Sequence, residues 1–131
     1  AVLDVKLRHL DEDLKARQAI ADYYYDYIDN PLIELPARLP HENNVYHLFP
    51  ILVKDGKRDE LQAFLAENGV GIVIHYPIAP HNQECYANEA WNKPLLSLPI
   101  TEQIADGELS LPISSTMMIE EAAEVVRLIN A

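Results

Sequence analysis

The sequence is short of the features that would commit it to a surface, membrane or nucleic-acid role. It has one cysteine, Cys85, in 131 residues, which excludes an internal disulfide and suits a reducing compartment. No stretch approaches the roughly 20 apolar residues of a membrane span. A cytoplasmic, soluble chain is therefore the expectation. Basic residues are scarce and scattered: ten Lys and Arg stand against 21 Asp and Glu, for a net charge of -11. A phosphate backbone or an anionic membrane would be repelled, so neither is expected as a partner. The four glycines, Gly56, Gly69, Gly71 and Gly107, stand apart, which leaves no glycine-rich loop to cradle a phosphate. His81 and Cys85 lie four apart with His75 nearby, yet no second Cys or His pair completes a tetrahedral metal set. Spacing alone singles out no Cys–His nucleophile pair.

What remains is ordinary globular material, with 49% hydrophobic and 24% charged residues in a length that fits one domain. Leu3, Leu7, Leu10, Leu14, Ala21, Tyr24 and Ile28 recur at spacings that form one stripe of a long helix over 2–28. Arg17 fills the stripe's polar slot. No capping residue precedes Val2, and the helix reads as one cut in its middle, the chain as a piece of something larger. Asp29-Asn30-Pro31 ends it, and an extended connector with a short edge strand follows to Asn44. Over 45–54 the alternation puts Val45, His47, Phe49, Ile51 and Val53 on one face, with Pro50 pushing the strand towards an edge or bulge. His47 on that apolar face reads as a satisfied core histidine. Asp55-Gly56 turns the chain into a helix over 57–68, closed by Gly69 as its left-handed cap.

The stretch from Asn68 to Tyr86, NGVGIVIHYPIAPHNQECY, holds most of the interest. Its run from Val70 to Ile74 reads as a buried strand that delivers His75, Tyr76 and Pro77 to its tip. That pattern fits a ligand-facing loop on a rigid scaffold, and it fits an ordinary core strand ending in a turn. Loop and helical turns with Tyr86 and Trp91 as packing anchors are expected up to Pro99. A short helix over 101–105 capped by Thr101, a strand over 109–113 and a helix over 119–129 complete the chain. The last helix should bury Ile119, Ala122, Ala123, Val126 and Ile129. The fold class is α+β: a small antiparallel or mixed sheet covered by helices on one face, preceded by the long helix.

Three ordered motifs, YHLFPI at Tyr46 to Ile51, GIVIHYPIAPHNQECY at Gly71 to Tyr86 and LPITEQIADGELSLPIS at Leu98 to Ser114, carry a resemblance. The chain resembles the closing segment of the PLP-dependent nucleotide-sugar aminotransferases of the DegT–StrS group, continuously from Leu3 to Ile129. HNQECY, Trp91 and SLPIS look most like the members that aminate a dTDP-3-keto-6-deoxyhexose. The resemblance implies the small domain of a fold type I PLP enzyme, with residues 1–30 a bridging helix truncated from the large domain and 31–131 the small α+β domain. It implies amino transfer from glutamate to a nucleotide-linked ketosugar in a homodimer, with PLP held by a lysine of the large domain. Lys6, Lys15, Lys54, Lys57 and Lys93 do not sit in that lysine's motif, so no catalytic residue is assigned to this chain. His75, Tyr76, Pro77 and His81 are implied as substrate-binding residues, giving polar contact and shape to the sugar pocket. Ala79 stands where the family has a proline or larger residue. Met118 stands where it has a small hydroxyl cap, a role Thr116 could fill. Some relatives carry histidine in place of the lysine and act as dehydratases. A free-standing regulatory or protein-binding module is the reading from another class.

Overall fold

A computed structural model describes residues 2–89 and 96–131 of the chain. Helix α1 (Val2–Leu7) and helix α2 (Leu10–Tyr27) lead into strand β1 (Ile33–Glu34), strand β2 (Phe49–Val53) and helix α3 (Arg58–Glu67). Helix α4 (Pro99–Gly107), strand β3 (Glu108–Leu111) and helix α5 (Ile119–Ile129) follow. The three strands form one antiparallel sheet in the order β1-β2-β3.

The expected single long helix is broken. Arg8 and His9 form a turn, their amides reaching back to Val5 and Lys6 carbonyls at 3.2 and 3.1 Å, a tighter pattern than the α-helical one. Every described residue from Val2 to Glu12 is exposed. The stripe is buried only at its far end, where Ile20, Ala21 and Tyr24 enter the core. There α2 packs along α5, and the two helix ends lace together. Asn30 Nδ2 donates to the Ile129 carbonyl at 2.6 Å, and Asn130 Nδ2 donates to the Tyr27 carbonyl at 2.8 Å. Asn130 Oδ1 also accepts the Asp29 amide at 3.0 Å. Each asparagine thus satisfies a terminal carbonyl that its neighbour's helix leaves open.

Phe49, Ile51 and Val53 are buried, and their register partners Leu111, Leu109 and Ile33 lie in the same core with Leu65 and the α5 stripe. The strand starts later than expected because Tyr46 adopts φ +46. Alternation cannot run through a left-handed residue, so Tyr46 turns in while Val45 and His47 stay exposed. His47 is therefore a surface residue and not a core histidine. Pro50 sits in the middle strand, which the expectation of an edge did not foresee. The Ser110 amide opposite turns away to the Val73 carbonyl at 2.9 Å, so the pair needs no amide from proline. β1 pairs only with Leu52 and Val53, which leaves Pro50's other side free.

Gly69, at φ +80, closes α3 as expected, with Val70 N bonding back to the Leu65 carbonyl at 2.9 Å. Helix α4 begins at Pro99 with Leu98 before it, so Thr101 is an interior residue and not the cap. In α5 the buried set is Ala122, Val125, Val126, Leu128 and Ile129; Ile119 is exposed and Ala123 half-buried. The Met118 amide is capped by Glu121 Oε2 at 2.8 Å, the carboxylate half of a capping box. Thr116 does not take that part; its hydroxyl bonds Ser114 Oγ at 3.1 Å.

Candidate functional site

The run from Val70 to Ile74 is extended, but it forms no full strand. Val70, Ile72 and Ile74 lean on the core while Gly71 and Val73 face out, and a single bridge joins Val73 to Ser110 at the edge of β3. The short segment still does what a strand would do here: it carries His75 to the sheet's edge and releases the chain beyond it. The His75–Tyr76 peptide is cis.

The four residues implied as substrate contacts divide into two groups. Tyr76 is 70% exposed, Pro77 and Ile78 are exposed beside it, and His75 is half-buried at their base. With Gln83, Glu84 and Cys85, Tyr76, Pro77 and Ile78 line an open hollow of about 430 Å³. A second hollow of about 310 Å³ runs on from Pro77 and Ile78 to Asn82, Glu102 and Asp106. His81 lies elsewhere, only 4% exposed. Its Nε2 sits 3.0 Å from Glu102 Oε1, and the same oxygen accepts the Leu98 amide at 2.9 Å. The Leu98 amide, and then the His81 ring, hold the Glu102 carboxyl below its ordinary range. This histidine ties the loop to the start of α4, inside the protein and not on its surface. Ala79 beside it is buried as well, so a larger side chain would need room that the loop does not leave. Tyr86 is exposed rather than a buried anchor, and Trp91 lies outside the described residues.

Two residues behind the loop went unnoticed in the sequence. Glu108 and Ser110 are buried on the sheet face opposite to Leu109 and Leu111. Glu108 Oε2 accepts the His75 amide, Ser110 Oγ donates to Glu108 Oε1 at 2.6 Å, and His75 Nδ1 lies 3.0 Å from Ser110 Oγ. The polar–apolar alternation of Glu108-Leu109-Ser110-Leu111 was the available signal. A wider hollow, about 770 Å³, lies away from all these groups, between Asn68–Gly71, Pro112–Met117 and the acidic face of α5.

The described lysines make no cradle for PLP. Lys6, Lys15, Lys54 and Lys57 are all exposed; Lys57 pairs with Glu60 at 2.8 Å, and Lys54 reaches the Pro31 carbonyl at 3.4 Å. Lys93 lies outside the described residues. No chemical step is assigned to the cofactor on this chain. Among the described residues, no three His, Cys, Asp or Glu side chains gather as a metal site, and no helix is long and apolar enough to cross a membrane.

This α+β layer superposes on part of solved sugar aminotransferases. The structure described as S. venezuelae DesV in complex with ketimine intermediate superposes with a TM-score of 0.86 at 35% identity, covering 98% of this chain and 34% of that one. A DegT DnrJ EryC1 StrS aminotransferase from Brucella abortus matches with a TM-score of 0.81 at 26% identity, over 98% of this chain and 33% of that one. The chain belongs to the DegT/DnrJ/EryC1/StrS aminotransferase family, whose model matches residues 1–130. It is 43% identical over 130 residues, 99% of its length, to the dTDP-3-amino-3,6-dideoxy-alpha-D-galactopyranose transaminase of Aneurinibacillus thermoaerophilus, and covers 34% of that protein. It is 38% identical to the dTDP-3-amino-3,4,6-trideoxy-alpha-D-glucose transaminase of Streptomyces venezuelae, covering 96% of this chain and 32% of that one. The chain thus spans about a third of the length of the curated relatives it matches.

Proposed function

We propose that this chain is the C-terminal small domain, with its bridging helix, of a PLP-dependent aminotransferase that moves an amino group from glutamate to a nucleotide-linked keto-deoxysugar. Residues 1–30 bridge to a large domain and 31–131 form the small domain. The large domain supplies the Schiff-base lysine, and the working enzyme is a homodimer. PLP, when bound there, supplies the electron sink for the transfer. This chain's part is to shape the sugar pocket: Tyr76 and Pro77 offer an exposed wall, and His75 a polar contact at its base. His81 supports that wall from inside through Glu102. The sugar is a dTDP-linked 3-keto-6-deoxyhexose, by analogy with the two transaminases above.

The observation that carries the reading is the bare leading helix. Val2, Leu3, Val5 and Leu7 are 72, 75, 56 and 65% exposed, and each such side chain gains about 1.5–3 kcal/mol on full burial. A stripe of this kind favours a missing neighbour over a free-standing module. Helix α2 follows it across the Arg8–His9 turn and is buried at Ile20, Ala21 and Tyr24, so the two helices run from a bare end into the core. The test compares the chain alone with the chain rejoined to its upstream sequence. The isolated chain is expected to give no PLP absorbance shift and no transaminase turnover, and the rejoined protein both. Turnover by the isolated chain would refute the division of labour.

A further inference from the structure

A buried carboxylate stands behind the exposed loop and has no part in the role just proposed. Glu108 is 3% exposed and Ser110 4%, a degree of burial rare for a carboxylate without partners. Both Glu108 oxygens are used. Oε2 accepts the backbone N–H of His75, and Oε1 accepts the Ser110 hydroxyl at 2.6 Å, the length of a charge-assisted O–H···O⁻ bond. A carboxylate only accepts, so the hydroxyl proton points at Glu108. Ser110 Oγ then has only lone pairs left for the imidazole nitrogen 3.0 Å away. His75 Nδ1 must carry the hydrogen of that bond, and in the neutral ring Nε2 is left with a lone pair. Among the described residues nothing hydrogen-bonds Nε2.

We propose that Glu108 and Ser110 are positioning residues: together they fix His75 in the Nδ1–H tautomer and present Nε2 outward as a hydrogen-bond acceptor. Ser110 is anchored for this task on both sides, since its amide holds the Val73 carbonyl at 2.9 Å just before the loop departs. The consequence for recognition rests on the proposed role of His75. An acceptor at Nε2 selects a group that donates, such as a hydroxyl of the sugar, over an unprotonated phosphate oxygen, which could bind only if the ring gained a second proton.

The tautomer is read directly from long-range ¹⁵N–¹H correlation spectra of the whole ¹⁵N-labelled chain at neutral pH, with His75 assigned through His75→Gln. The expected result is a His75 ring protonated on Nδ1 and bare on Nε2. Ser110→Ala removes the acceptor, and the ring should move towards the Nε2–H form that free histidine prefers. Ser110→Thr keeps the hydroxyl and should restore the Nδ1–H form. In Glu108→Gln the amide group offers a donor where the carboxylate accepted, so the hydroxyl is turned towards the ring and the tautomer reverses. A wild-type ring protonated on Nε2, or a tautomer indifferent to Ser110→Ala in a folded variant, overturns the proposal. A wild-type Nδ1–H ring and a Ser110→Ala reversal that leaves the nucleotide-sugar KM of the rejoined enzyme unchanged would uphold the relay. That same outcome would remove His75 from the substrate site.

Discussion

Tyr24 is the bolt between helix α2 and the strand that backs the loop, and its removal gives a quantitative test. Its ring lies in the core, 5.1 Å from Phe49, and its hydroxyl donates to the Pro112 carbonyl at 2.7 Å, directly after β3. Tyr24→Phe keeps the ring and deletes that one bond, leaving the Pro112 carbonyl without it. The cost is about 1–2 kcal/mol at neutral pH. At about 2 cal/mol/K of unfolding entropy per residue, the melting temperature should fall by roughly 4–7 °C. Burial also pushes the Tyr24 phenol well above its ordinary value of 10.0. The sign follows from linkage. The fold favours the neutral form, so this contribution is fully present below about pH 10 and is lost as pH rises towards the folded-state value. In that range the unfolded chain releases the proton first, and wild-type stability should drop by up to about 1.4 kcal/mol per pH unit from this group. Tyr25, pushed up to about 12 chiefly by burial and then by Tyr46, adds a background common to both proteins. The gap between wild type and Tyr24→Phe should therefore narrow above pH 10. Urea unfolding at pH 7 and at half-unit steps to pH 11 measures both effects. Equal stability at pH 7, or a gap that stays constant to pH 11, would refute this account.

Two further outcomes are expected. Asn130→Ala removes the bond to Tyr27 and the one from Asp29, costing about 1–2 kcal/mol. Combined with Asn30→Ala it should prove non-additive in urea unfolding, because both asparagines lace the same pair of helix ends; strict additivity would mean that the ends act separately. Tyr76→Ala should leave the chain's stability within about 0.5 kcal/mol, as an exposed ring away from the core. In the rejoined enzyme it should weaken nucleotide-sugar binding by about 0.5–1.5 kcal/mol, a roughly 2- to 12-fold rise in KM. A stability loss with unchanged KM would make Tyr76 a packing residue.

The elements legible in the sequence were those whose pattern and packing coincide. Helix α5 spans the expected 119–129, and Phe49, Ile51 and Val53 alternate into the core as expected, because period and burial there have one cause. His47 was misplaced by one left-handed residue: Tyr46 at φ +46 flips the inward parity, and a residue other than glycine in that region leaves no mark in a hydropathy pattern. The broken leading helix was invisible for another reason. Spacing predicts a stripe, yet a stripe with nothing upon it has no packing to keep it straight. His81 and His75 look alike in sequence as two histidines of one loop, and only the partner chemistry of Glu102 and Ser110, both distant in sequence, sends one inside and leaves the other at the rim.

That contrast explains why the loop can be both exposed and well placed. A strand-end loop rich in proline has little backbone pairing of its own, and Val73 gives it a single bridge to the sheet. Its position must come from side chains reaching in from either end. At one end Glu108 takes the His75 amide; at the other, Glu102 takes the His81 ring together with the Leu98 amide. Both carboxylates lie on the continuous α4–β3 segment, and Gly107 between them allows its close approach to β2. A Cβ there would stand 3.1 Å from the Val53 carbonyl oxygen. One segment thus fixes both feet of the loop, and the residues between them, Tyr76 to Ile78, are left facing outward.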